Sequence, residues 1–385
     1  MNDPLKKYRR RLRLWQNSRR LQKENRCYAA EFQRRGLGVP DDTALAAALR
    51  KNFPGLQPKD KGNLQIIAVY RHHNWENYSL APALEKFGPV RHFDWGKPFA
   101  ASSGDWQNKV KFRMNKALAN TLDGWIRESR PDVIFMYVSG ETLEPRILDR
   151  LREQGIPMVN LALNDKEHFV GKIRGGRAFG TKDIGRFFDL CWTSTEDALM
   201  KYCVEEARPI YLPEGANPDI HRPFDLERTI DVSFVGQRYG NRQTVVDELG
   251  RRGIRVEAYG FGWPRGPLGV EEMVRMYSRS RINLGFGGIE GHRDTFCLKG
   301  RDFEIPMSGG LYLTEHHPEL ENFFTPDEEI LTYRDLDDLE VKIRYYLAHP
   351  DRADTVRKKG RARALACHSW EARFDRIFRI VGLLR

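Results

Sequence analysis

From Asn63 onward the chain alternates short apolar runs with longer amphipathic stretches, and it does so in two series. Residues 64–70, 90–93, 133–138, 156–163, 188–193 and 210–212 read as strands. Residues 80–87, 110–129, 143–154 and 196–206 carry helical spacing between them. Strands separated by helices of this length are joined by crossovers, so the pattern predicts a parallel, doubly wound sheet. The run Pro213-Glu214-Gly215-Ala216-Asn217-Pro218, with Pro223 just beyond, breaks the alternation and marks a linker. A second series follows, with strands at 231–235, 255–259, 282–286 and 311–314 and helices at 242–252 and 270–278. A mainly helical tail spans 336–384. The expected organisation is an arm and linker (1–60), a first Rossmann-like domain (61–213), a second (214–365), and a last helix (366–385) crossing back to the first.

At 385 residues the chain exceeds one ordinary core, which agrees with two domains and an appendage. Its net charge of +11 is concentrated. Residues 1–40 contain twelve Lys and Arg against Asp3, Glu24 and Glu31, a net +9, and leave the other residues near neutrality at +2. Leu5, Tyr8, Leu12 and Trp15 recur at three- and four-residue steps, so the arm reads as one or two basic amphipathic helices ending near Gly36. No apolar run is long enough to cross a membrane, and no apolar stretch follows the cationic N-terminus as in a secretory signal. The five cysteines lack C-x-x-C spacing and read as reduced thiols of a cytoplasmic protein.

The densest chemistry lies in residues 293–324, where Lys299, Arg301 and the Phe303-Glu304 pair precede Gly309-Gly310 and the apolar Leu311-Tyr312-Leu313. This reads as helix, glycine stop and buried strand. Lys299 and Arg301 then stand at a helix N-terminus, where the dipole already disfavours cations, unless an anion is bound there. Taken alone, the residues fit either a phosphate site with Glu304 receiving sugar hydroxyls, or a solvated charged face.

The segment R-x-F-E-x-x-x-x-G, followed by an apolar strand, resembles the donor-binding segment of the CgeB-like (spore-maturation-protein-like) glycosyltransferases. It is carried by Arg301, Phe303, Glu304, Gly309, Thr314, Pro318, Leu320 and Phe323. The similarity runs from Asp231 through His349-Pro350 to His368-Ser369-Trp370 and Arg373. It implies a GT-B fold, two doubly wound domains with an interdomain cleft, and transfer of a sugar from a nucleoside-diphosphate donor. Donor binding would fall to Lys299, Arg301, Glu304 and, in the loop after the first strand of the second domain, Arg238. The Glu-x7-Glu pair of many retaining relatives is incomplete, because Phe296 occupies its first position.

The acceptor side is less defined. His72 follows the first strand and Asp165 the fourth, and either could act as base or stabilise an oxocarbenium ion. Taken singly, each fits a turn or a satisfied polar end of a strand better than a catalytic role. Gly260-Phe261-Gly262-Trp263 could lie near a nucleobase or cap the core, and Gly285-Phe286-Gly287-Gly288 could bring amides to phosphate. No metal and no cofactor beyond the nucleotide-sugar substrate is expected, leaving Lys, Arg and a helix dipole to meet the leaving diphosphate. The resulting expectation is a cytoplasmic glycosyltransferase acting on a cell-envelope glycan, a lipid-linked molecule or a protein, with residues 1–36 as a contact for an anionic membrane. The alternatives are a glucosyltransferase acting on nucleic-acid bases, disfavoured by the near-neutral body, and a non-enzymatic nucleotide-sugar scaffold.

Overall fold

The computed structural model describes residues 4–99, 104–290, 292 and 295–385. The Leu5 side chain and the motif residues Arg293 and Asp294 lie outside the described residues. The chain forms two compact units, one of residues 23–213 with 370–385, the other of residues 1–22 with 214–369.

The first unit is built on a six-stranded parallel sheet. In chain order its strands are β1 (Ile66–Val69), β2 (Val90–Phe93), β3 (Val133–Met136), β4 (Met158–Ala162), β7 (Leu190–Thr193) and β8 (Pro209–Tyr211). Their order across the sheet is β2-β1-β3-β4-β7-β8. The four-residue stretch of β1 is buried throughout, as a strand covered by helices on both faces requires. Ile66 and Ala68 enter one core with Phe135, Trp192 and Phe374, whereas Ile67 and Val69 enter the other with Met114 and Leu148. A small antiparallel hairpin, β5 (Ile173–Arg174) and β6 (Arg177–Ala178), was not expected from the sequence. Helix Trp370–Val381 completes the first core, with Trp370 stacked on Trp75 at 5.1 Å and Phe374 edge-on to Phe135 and Trp192 at 5.2 and 5.4 Å.

The second unit carries a five-stranded parallel sheet of β9 (Ile230–Val235), β10 (Val256–Tyr259), β11 (Ser280–Leu284), β12 (Tyr312–Glu315) and β13 (Leu331–Tyr333). Their order is β10-β9-β11-β12-β13. Both sheets reverse direction of winding once, between β1 and β3 in the first and between β9 and β11 in the second. Loops beyond the strand ends at such a reversal form the natural crevice of a doubly wound sheet. The arm is one continuous helix, Pro4–Arg34, followed by helix Asp42–Asn52, whose Asp41 side chain accepts the Ala44 N–H. Among the described residues no helix is long and apolar enough to cross a membrane.

Candidate functional site

At the reversal point of the second sheet, β9 runs into Gly236 and Gln237. The Trp263 indole donates to the Gly236 carbonyl at 2.9 Å. Trp263 itself is buried against Phe234, so this Gly/Trp turn caps the core while Phe261 faces outward. Arg238 is exposed and donates to the Gly262 carbonyl at 3.2 Å. Its backbone N–H donates to Phe261 at 2.8 Å. Arg238 therefore ties two adjacent loops together, with the rest of its guanidinium at the surface.

Helix Gly300–Met307 begins beside this turn. Lys299 is its N-cap residue, and its N–H donates to the Asp302 carboxylate at 2.6 Å. The Tyr312 hydroxyl donates to the other Asp302 oxygen. Asp302 is thus consumed in fixing the helix start, which frees the next charged residues for other work. Arg301 lies over the Phe234 ring, its guanidinium carbon 5.4 Å from the centroid. Its Nε and Nη2 are buried and have no acceptor among the described residues. Arg242 stands close by, bonded to the Gln237 carbonyl at 2.8 Å. Burial, with the like charge of Arg301 adding to it, pushes Arg242 down to about 10. A buried N–H without an acceptor costs about 1–3 kcal/mol, and an anion at a helix N-terminus is one kind of group that supplies such acceptors.

Glu304, one turn along, is 8 % exposed. Its Oε1 lies 3.6 Å from Nε2 of the buried His221. Burial raises Glu304 to about 7, against the pull of Arg301, and lowers His221 to about 4. A third group joins them from the linker. Glu214 is raised to about 8, first by burial and then by the negative charge of Glu304. A Cβ placed on Gly300 would stand 3.0 Å from Glu214 Oε2 and 3.1 Å from Glu304 Oε1, so glycine at this position lets both carboxyls approach the helix start. Sequence reasoning missed Glu214 and His221. The one signal available was a charged residue and a histidine inside a proline-flanked linker.

A cavity of about 430 Å³ opens across the loops that follow β9, β11 and β12, with Asn241, Glu290, His292, Phe296 and Glu315 on its wall. Phe296, at the position where relatives were expected to carry an acid, stacks on His317 at 5.4 Å. Gly285 and Gly288 do not offer free amides, as the sequence suggested they could. The Gly285 N–H donates to Leu313 at 2.8 Å and the Gly288 N–H to Glu315 at 2.7 Å.

In the first unit, His72 follows β1 at the reversal point. It is half-buried, packed edge-on to Tyr70 and His92, with Nδ1 lacking a partner among the described residues. Asp165 does not share this position. It lies beyond β4, is 2 % exposed, and accepts the Tyr202 hydroxyl at 3.0 Å. Burial pushes it up to about 7, offset in part by hydrogen bonds from Thr193 and Tyr202. The expectation of Asp165 as a base at an open strand end is corrected: its carboxyl faces the interior of the unit.

Residues 238–379 match the family model described as glycosyl transferase-like. No curated sequence matches the chain. Among solved structures, the chain is similar to the sucrose-phosphate synthase of Thermosynechococcus elongatus, with a TM-score of 0.57 and 15% identity over 85% of this chain and 99% of that one. It is also similar to HepE of Anabaena, solved in complex with UDP and glucose, with a TM-score of 0.55 and 9% identity over 84% and 100% of the two chains. A glycosyltransferase from Rickettsia africae gives a TM-score of 0.57 at 10% identity over 84% and 98%. At these identities the likeness establishes the GT-B fold. The family match covers most of the second unit and runs on into the returning helix, as far as residue 379.

Proposed function

We propose that the protein transfers a sugar from a nucleoside-diphosphate donor held on its second unit, and that it belongs with the CgeB-like group. The observation that carries this reading is Arg301, whose buried Nε and Nη2 lack acceptors among the described residues, beside a helix N-terminus. A diphosphate supplies those acceptors. Lys299 adds charge at the helix start, Arg238 reaches from the neighbouring loop, and Glu304 receives ribose hydroxyls. The departing diphosphate is stabilised by these cations and the helix dipole, without a catalytic metal. Adding EDTA should therefore change the rate by less than about twofold, whereas loss of a metal Lewis acid costs several kcal/mol. The cavity beside Asn241 and Glu315 takes the transferred sugar. His72 is the acceptor-side group retained from the sequence reading, and the acceptor class is a cell-envelope glycan, a lipid-linked molecule or a protein. A donor nucleotide bound in HepE makes UDP the first ligand to try. Calorimetry with UDP and release of UDP from UDP-glucose test the proposal. Arg301→Ala should weaken UDP binding about ten- to a hundredfold, and wild-type affinity in the folded variant would remove the donor site from this helix. Binding without turnover on any donor would leave a nucleotide-sugar scaffold in place of an enzyme.

A further inference from the structure

Helix Pro4–Arg34 has two sides that differ in what they touch. On one side Arg10 pairs with Glu290, a residue of the 430 Å³ cavity wall. Leu21, in the same part of the helix, is 7 % exposed. The opposite side is open. Tyr8, Leu12 and Trp15, spaced by four and three residues, form one stripe and are 66, 42 and 51% exposed. Arg19 lies over the Trp15 ring at 4.3 Å, and the exposed Arg9, Arg11 and Arg13 flank the stripe.

We propose that this open face docks the protein on an anionic lipid bilayer. Tyr8, Leu12 and Trp15 enter the boundary between headgroups and acyl chains, and the flanking arginines meet the anionic headgroups. Charge selects the partner: residues 1–40 carry a net +9, and the rest of the chain only +2. The apolar stripe selects lipid over a polyanion in water, because binding to nucleic-acid phosphate uses the cations and leaves an exposed Leu12 without a role. Three side chains within two turns are also too few to hold a stable interface with a second copy. Because Arg10 on the far side grips the cavity wall, the docked helix keeps that cavity close to the lipid surface.

The test uses the full chain and co-sedimentation with vesicles of phosphatidylcholine containing about 30% phosphatidylglycerol, a typical anionic composition. Pure phosphatidylcholine should fail to bind the protein, and high salt should release it from the anionic vesicles. The double variant Leu12→Ala/Trp15→Ala, altered only at exposed positions, should lose about tenfold in vesicle affinity. Arg9→Glu/Arg11→Glu/Arg13→Glu should lose more than about a hundredfold. Both variants should keep wild-type circular dichroism and UDP affinity, which separates this proposal from the donor-site reading. Unchanged vesicle binding by the double variant overturns the proposal. So does tight binding to a DNA duplex that ignores Leu12 and Trp15, or a dimer in solution that the double variant dissociates.

Discussion

Glu304 and Glu214 are two carboxyls that the fold brings to one helix start, and their shared surroundings push both toward neutral pH. Glu304→Gln keeps the shape and a hydrogen-bonding amide but loses the charge-assisted bond. UDP affinity should fall by roughly ten- to a hundredfold while the protein stays folded, as calorimetry can show. The interior carboxyl Asp165 leads to a different expectation. An ordinary aspartate titrates near 3.8, and this one near 7. The folded state therefore holds the proton more tightly than the unfolded chain. Its contribution to stability is full below about pH 4 and is lost as the pH rises through about 7. Asp165→Asn cannot ionise, so its advantage over the wild type should widen between pH 5 and pH 8, reaching on the order of 2–4 kcal/mol. Thermal unfolding at the two pH values measures this directly, and a constant gap would show that Asp165 is ionised in the folded protein.

Among the elements, helix Gly300–Met307 depends on a short chain of contacts that begins outside it. Tyr312 on β12 holds Asp302, and Asp302 holds the Lys299 N–H. A Cβ on Gly285 would stand only 2.1 Å from the Tyr312 hydroxyl. Tyr312→Phe should lower stability by about 1–2 kcal/mol and weaken UDP binding by loosening the helix start. Gly285→Ala should shift both in the same direction, and the double variant should fall short of additivity, which denaturant titration would reveal. The strong apolar runs that became β1, β3 and β4 were legible because a strand buried on both faces leaves a continuous hydrophobic signature. β13 was not, since Leu331–Tyr333 is three residues long and lies between charged stretches. The hairpin Ile173–Arg174 and Arg177–Ala178 has no apolar alternation to show. Lys299 and Arg301 could be placed at a helix start because the Gly309-Gly310 stop and the apolar run after it fix where the short helix ends. Glu214 and His221 could not, because no local period links a linker to a helix so far along the chain.

At the scale of the molecule, the chain leaves the first unit at Pro213 and returns to it at Trp370. The returning helix buries Trp370, Phe374, Ile377, Phe378 and Val381. Arg376 forks onto Asp42 at 2.7 and 2.8 Å, fixing the helix against Asp42–Asn52. Burying five such side chains contributes roughly 8–15 kcal/mol, as much as the whole net stability of an ordinary domain. Deleting residues 370–385 should therefore leave the first unit unfolded or molten, read as loss of near-ultraviolet circular dichroism and of a cooperative unfolding transition. A truncated chain with a sharp native-like transition would contradict this.

On the ribosome the same return path sets a schedule. Every strand of the first sheet has emerged long before Trp370 is added, yet the slot for that tryptophan, between Trp75 and Trp192, stays empty until then. At bacterial or eukaryotic elongation rates the wait is about 10–30 seconds, during which the second unit, apart from the arm residues already made, is translated as one uninterrupted block. The half that is made first is the half that finishes last, so the nascent protein exposes its aromatic groove to chaperones for as long as the second unit is being translated.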